Sequence, residues 1–186
     1  MTALVSLLWR ICLLRSGPET VPASNFLLGL LIAVNAAISW IATIILQAMI
    51  PIPEELSNQL SAEQLAALSD GFLLFTRVVV TLACSATLIW GLLTLMNFQE
   101  RTNKVLCAVF GTFSILTTVR FIATLIGLTV HPTVVQLVSL GMLFWTVAVL
   151  GFILHRALEI SNGFGIAAAL FILTFTFAVG QVVVTG

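Results

Sequence analysis

Charge is what this sequence has least of. Charged residues fill 8% of its 186 positions, seven basic against seven acidic, and the formal net charge is zero. A soluble domain carries about 25% charged residues to keep its surface wet. With no net field to draw in a polyanion or to hold the chain on anionic lipid, nucleic acid is not an expected partner.

Cysteine and histidine are nearly as scarce. Cys12, Cys84 and Cys107 stand apart in apolar segments, without the close pairing that zinc, thiol-redox and iron–sulfur sites require, and they read as small hydrophobes. In the topology derived below, Cys12 and Cys107 lie near the reducing face of the membrane, where a structural disulfide does not persist. His131 and His155 fall at opposite faces, so one protomer cannot bring both to a single haem iron. A glycine-rich phosphate loop, a nucleophile elbow, a paired-histidine metalloprotease helix and paired carboxylates inside a span are all missing. The chain therefore reads as a non-enzyme with no cofactor. No segment is left over for a soluble domain, and no internal repeat is present.

What the sequence has in abundance is apolar length. Hydrophobic residues make up 60% of the chain and the mean hydropathy is +1.20. A membrane-crossing helix needs roughly 20 mostly apolar residues at about 1.5 Å each. Five segments meet that length, at about 26–50, 72–98, 105–130, 133–157 and 166–184. The fold class is thus an all-α integral membrane bundle of five transmembrane helices. The third span contains Arg120. Its 14 Leu, Ile, Phe and Val residues, at about −0.3 to −0.6 kcal/mol each, outweigh an arginine cost of roughly 2.5 to 3.5 kcal/mol.

Two shorter helices complete the prediction. Leu4, Leu7, Leu8, Ile11 and Leu14 share one helical face, into which Arg15 projects, and this pattern predicts a short N-terminal interfacial helix. Arg10 interrupts the apolar run and no basic region precedes it, so the segment reads as retained and not as a cleaved signal. Gly17, Pro18 and Pro22 break the chain before Ser24 or Asn25 caps the first span. Between Pro51 and Gly71, Ser61 stands three residues before Gln64, a capping signature for a short helix along the outer surface.

The basic residues orient the spans. Arg10, Arg15, Arg101, Lys104 and Arg156 all fall on one side, whereas the opposite side receives Glu54, Glu55, Glu63 and Asp70 and neither Lys nor Arg. The positive-inside rule then puts the N-terminus in the cytoplasm and Gly186 outside. Short connections predict that the second and third spans, and the fourth and fifth, are antiparallel neighbours.

Arg77 and Arg120 are the polar residues most in need of a partner, because a guanidinium cannot shed its proton and must find water, a carboxylate or carbonyls. At about 1.5 Å per residue, Arg77 lies roughly 32 Å from the cytoplasmic turn and Arg120 about 22 Å. Arg77 can snorkel to the outer interface, and Arg120 is immersed. Arg120 reads either as an anion-binding or gating residue in a watery cavity or as a packing anchor bonded to Thr117, Thr124, a carbonyl or Asp70. Intramembrane charges are often functional, but no second charge accompanies this one in its span, and packing is the favoured reading. Asn35, Gln47, Gln136 and Gln181 are expected to bond between helices. His155, Arg156 and Glu159 form a polar patch at the cytoplasmic end of the fourth span, with His155 and Glu159 one turn apart, suited to a partner contact, to pH sensing or, more commonly, to an interfacial anchor. Ala83, Thr87 and Gly91, and Gly165 and Ala169, recur at four-residue spacing and suit close helix contacts.

Three stretches, Leu14 to Ser24 with its Arg-Ser-Gly-Pro and second proline, Asn97 to Gly111, and Phe144 to Glu159, resemble the Yip1-like family of small polytopic bacterial inner-membrane proteins. The resemblance implies a five-helix bundle with a cytoplasmic N-terminus in a bacterial inner membrane, and it implies no reaction. Around Gly151 the family pattern is richer in histidine, with an Arg-His order where this chain has His155 followed by Arg156 and with Phe152 in place of a histidine. That departure weakens a metal reading of the segment.

These observations favour a non-enzymatic protein that acts through helix contacts, as an accessory, scaffold or assembly subunit of a larger membrane complex. Its expected partners are the bilayer and other membrane subunits or a second copy of itself. The alternative is a small transporter or channel subunit for an anion, using Arg120 and Arg77.

Overall fold

The computed structural model describes residues 2–22, 24–49 and 70–185. Those residues form six α-helices and no strand: α1 Thr2–Cys12, α2 Asn25–Met49, α3 Gly71–Leu95, α4 Thr102–Val130, α5 Pro132–Leu158 and α6 Asn162–Thr185. Single 3₁₀ turns at Pro18–Thr20 and Gln99–Arg101 precede α2 and α4. Helices α2 to α6 are each long and apolar enough to cross a membrane, which makes this an all-α, multi-pass membrane bundle. The short outer-surface helix expected after Pro51 lies outside the described residues.

Local chemistry sets the helix ends. Ser24 Oγ accepts from the Leu27 N–H at 3.4 Å to open α2, and Asp70 Oδ1 accepts from the Phe72 N–H at 2.9 Å to open α3. At the end of α3, Asn97 takes the left-handed conformation (φ 62°), the Phe98 N–H reaches Leu93 O and the Asn97 N–H reaches Thr94 O. This closure satisfies carbonyls that the helix leaves open, so the second span stops at Leu95, before the expected Phe98. The fifth span, in contrast, begins earlier than Ile166. Gly163 and Gly165, expected in a turn, are helical. A Cβ on Gly165 would lie 2.6 Å from the Gly151 carbonyl of α5, so it is the closeness of the two helices that requires glycine there.

The spanning helices form a closed ring in the order α2, α3, α6, α5, α4 and back to α2. The expected α5–α6 pair is intimate. Helices α3 and α4, expected as neighbours from their short connection, touch only slightly, because α2 packs on both of them.

Packing along the ring is uneven. At the end carrying Ser24, the 96–101 turn and Glu159, the centre is dense: Ile89, Leu93, Phe110, Leu150, Ile153 and Leu154 are fully buried. Toward the opposite end the ring opens into a cavity.

Helix α1 lies against α4 and α5, with Leu8, Ile11 and Cys12 buried. The Leu8 side chain covers Gly111, and the Trp145 Nε1–H donates to the Cys12 carbonyl at 2.9 Å. Much of the apolar face read from the sequence therefore meets protein. Leu14 does not belong to it: it lies past the helix end at φ 59° and is exposed, while the Arg15 N–H bonds Arg10 O.

Candidate functional site

In the open half of the ring, Arg77 and Arg120 line one cavity of about 420 Å³ between α2, α3, α4 and α6. A deeper chamber of about 290 Å³ adjoins it, sharing Ser39, Thr81, Leu82, Thr117 and Arg120, and every spanning helix contributes to its wall. Arg120 sits about 15 Å along α4 from Val130, and Arg77 about 9 Å along α3 from Gly71, at about 1.5 Å per residue. The two arginines differ in depth but face the same space.

The wall is polar for a regular reason. Asn35, Ser39 and Thr43 on α2, and Arg77, Thr81 and Ser85 on α3, each repeat at four-residue spacing and so lie on one helical face. Most of the hydroxyls donate back to their own helix: Thr43 to Ser39 O, Thr81 to Arg77 O, Ser85 to Thr81 O and Thr176 to Ile172 O, at 2.6 to 2.8 Å. Their lone pairs remain for water or a guanidinium. Asn35 is buried, donating to Phe110 O and accepting from Ser39 Oγ, both at 3.4 Å, which is the interhelical role expected of it.

Arg77 and Arg120 have no hydrogen-bond or ion-pair partner among the described residues, and no described carboxylate lines the cavity. The packing partners considered for Arg120 are engaged otherwise or idle. Asp70 caps α3, and the Thr117 hydroxyl, which faces the same cavity, makes no bond among the described residues. Gly180 of α6 seats Arg77: a Cβ there would lie 3.0 Å from Thr81 Oγ1 and 3.5 Å from Arg77 Nε. Two guanidiniums, with about five N–H groups each, thus line one space and bond no acceptor among the described residues.

The other expected site residues fall elsewhere. Gln136 is exposed on α5 and makes no hydrogen bond among the described residues, so the interhelical role expected of it is not found there. His155 and Glu159 do not pair with each other. Glu159 lies past the end of α5 in the left-handed conformation and bonds Arg101 at 2.7 Å, while His155 Nδ1 bonds the Ile160 carbonyl. The helix ends before the i, i+4 geometry reaches Glu159. His131 caps the far end of α5, accepting from the Thr133 N–H.

The wall residues Ser39, Thr43, Thr81 and Ser85 were not singled out from sequence, although their four-residue spacing was the available signal. Among the described residues, no group of three or more His, Cys, Asp or Glu side chains is placed to hold a metal ion. No protein-family model, curated protein or solved structure matches the chain.

Proposed function

We propose that this protein binds a small anion in the cavity shared by Arg77 and Arg120, as a transporter or channel subunit. One observation carries the reading: two guanidiniums that bond no acceptor among the described residues face the same hydroxyl-lined space inside the ring. Holding an arginine at membrane depth is costly, and the cost falls when the group meets water or a counter-charge. An anion in the cavity supplies that counter-charge. The basic residues at the dense end put that end in the cytoplasm, so the cavity opens outward, and the resemblance suggests a bacterial inner membrane.

The test is flux of halide, nitrate and small carboxylates through the purified protein in liposomes. The double variant Arg77→Gln/Arg120→Gln should abolish saturable flux while eluting from a sizing column like the parent. Undiminished flux in a normally assembled double variant sinks the proposal.

A second reading, an accessory or assembly subunit, draws on a different feature. Ala83 and Thr87 on α3 are exposed, and a Cβ added at Gly91 would meet nothing within 4 Å, so this small-residue face is left open by the described residues. Isolation from native membranes in mild detergent tests it, and a lone monomer counts against it.

A further inference from the structure

We infer that the opposite, dense end of the bundle carries a second and separate site, a cleft that binds a phosphate group. The cleft has a volume of about 810 Å³ and is lined by Arg101, Lys104, His155 and Arg156 together with Glu19 and Glu159. Three elements far apart in sequence meet there: the Pro18–Thr20 turn, the start of α4 and the end of α5. They are also where the three stretches that carry the family resemblance converge.

The cations are placed but not used up. Arg101 is engaged, donating from Nη1 to Glu159 Oε1 at 2.7 Å and to Ala157 O at 3.4 Å. Among the described residues Arg156 reaches only Glu19, at 3.9 Å, beyond hydrogen-bond distance. Lys104 has no partner among the described residues. Both guanidiniums lie over aromatic rings, Arg101 over Phe98 at 5.1 Å and Arg156 over Phe152 at 5.6 Å, which limits the freedom a ligand would otherwise have to remove. Three cations against two carboxylates leave net positive charge in a concave space.

The start of α4 faces the same cleft through Lys104 and Val105. Its N-cap residue, Arg101, provides no side-chain hydrogen bond, and the Thr102 N–H is already bonded to Gln99 O in the 3₁₀ turn that leads into the helix. A phosphate fits this set because it offers several acceptor oxygens to a lysine point charge and an arginine fork together. Glu19 is the carboxylate now nearest the spare arginine, and it competes with an incoming anion. The phosphate comes either from solution or from an anionic lipid headgroup, since the cleft opens where the helices leave the apolar layer.

The competition gives the test two opposite signs. The full chain in phosphatidylcholine nanodiscs is titrated with inorganic phosphate by calorimetry. Lys104→Gln should weaken binding about tenfold, the scale of one charge-assisted contact, and Glu19→Gln should tighten it by about threefold. In nanodiscs that also contain phosphatidate, retention of phosphatidate over phosphatidylcholine by native mass spectrometry, lost in Lys104→Gln, marks the lipid headgroup as the ligand; phosphate binding without such retention marks the soluble ion. The inference fails if neither phosphate nor phosphatidate binds saturably, or if both variants shift binding the same way. It fails equally if binding survives Lys104→Gln and is lost in Arg120→Gln, which would place the phosphate in the cavity at the other end.

Discussion

Cys12 shows how position decides the chemistry of a single side chain. Its thiol is buried against α4, directed at the Thr112 carbonyl at 3.9 Å, and desolvation pushes its pKa from 9.0 up to about 11. The folded state therefore keeps this proton to higher pH than the unfolded chain. The associated stability is present below about pH 9 and is lost as pH rises through about 11. Water-soluble maleimide should leave Cys12 unmodified in the folded protein at pH 8 and label it after denaturation in SDS. The thermal midpoint should also fall between pH 9 and 11, with a shallower slope in Cys12→Ala. Leu14 gives a second residue-scale prediction. At φ 59° a side chain costs about 1 kcal/mol that glycine does not. Leu14→Gly should raise stability by up to about that amount in an SDS unfolding titration, since its own side chain is exposed.

At the scale of helices, two glycines predict opposite outcomes. Gly165 lies where a Cβ would approach the α5 backbone to 2.6 Å, so Gly165→Ala must push α5 and α6 apart and should cost about 1–3 kcal/mol. Gly91 faces open space, and Gly91→Ala should change the stability of the isolated protein by less than about 0.5 kcal/mol or raise it through helix propensity. Unfolding of both variants in one detergent system checks the contrast. If Gly91→Ala instead disrupts a native complex while leaving the purified chain intact, the accessory reading gains. The spans were legible in the sequence because apolar runs of this length are hard to mistake. Their ends were less so, since the αL closure at Asn97 and the close approach at Gly165 depend on geometry that composition does not display. The amphipathic pattern of α1 was legible as well, but its docking on α4 and α5 rests on Leu8 meeting Gly111, two positions distant in the chain.

For the whole molecule, the ring explains why one half is solid and the other hollow. Large apolar side chains, Phe110, Ile89 and Leu150 among them, fill the centre at the charged end, whereas Ser39, Thr81, Ser85 and Thr176 are too small to fill it at the other. An odd number of crossings also places the chain termini on opposite sides. Single cysteines added before Thr2 and after Gly186, in a cysteine-free background, should label from opposite faces of sealed vesicles. Labelling from the same face would remove one span, with α4 and its Arg120 the first to re-examine.

The sequence by itself determined the membrane class, the five spans and the individual oddity of Arg77 and Arg120, because hydrophobic length and the cost of a buried charge act locally along the chain. It left open whether Arg120 packs or binds. Only the tertiary structure decided that the two arginines share one cavity, that Asp70 is spent on capping α3, and that Arg101, Lys104, Arg156 and Glu19 meet at the far end. The reason is the order of the ring. Which helix faces become walls depends on how five apolar cylinders pack side by side, and short connections do not specify that order, as the slight contact between α3 and α4 demonstrates.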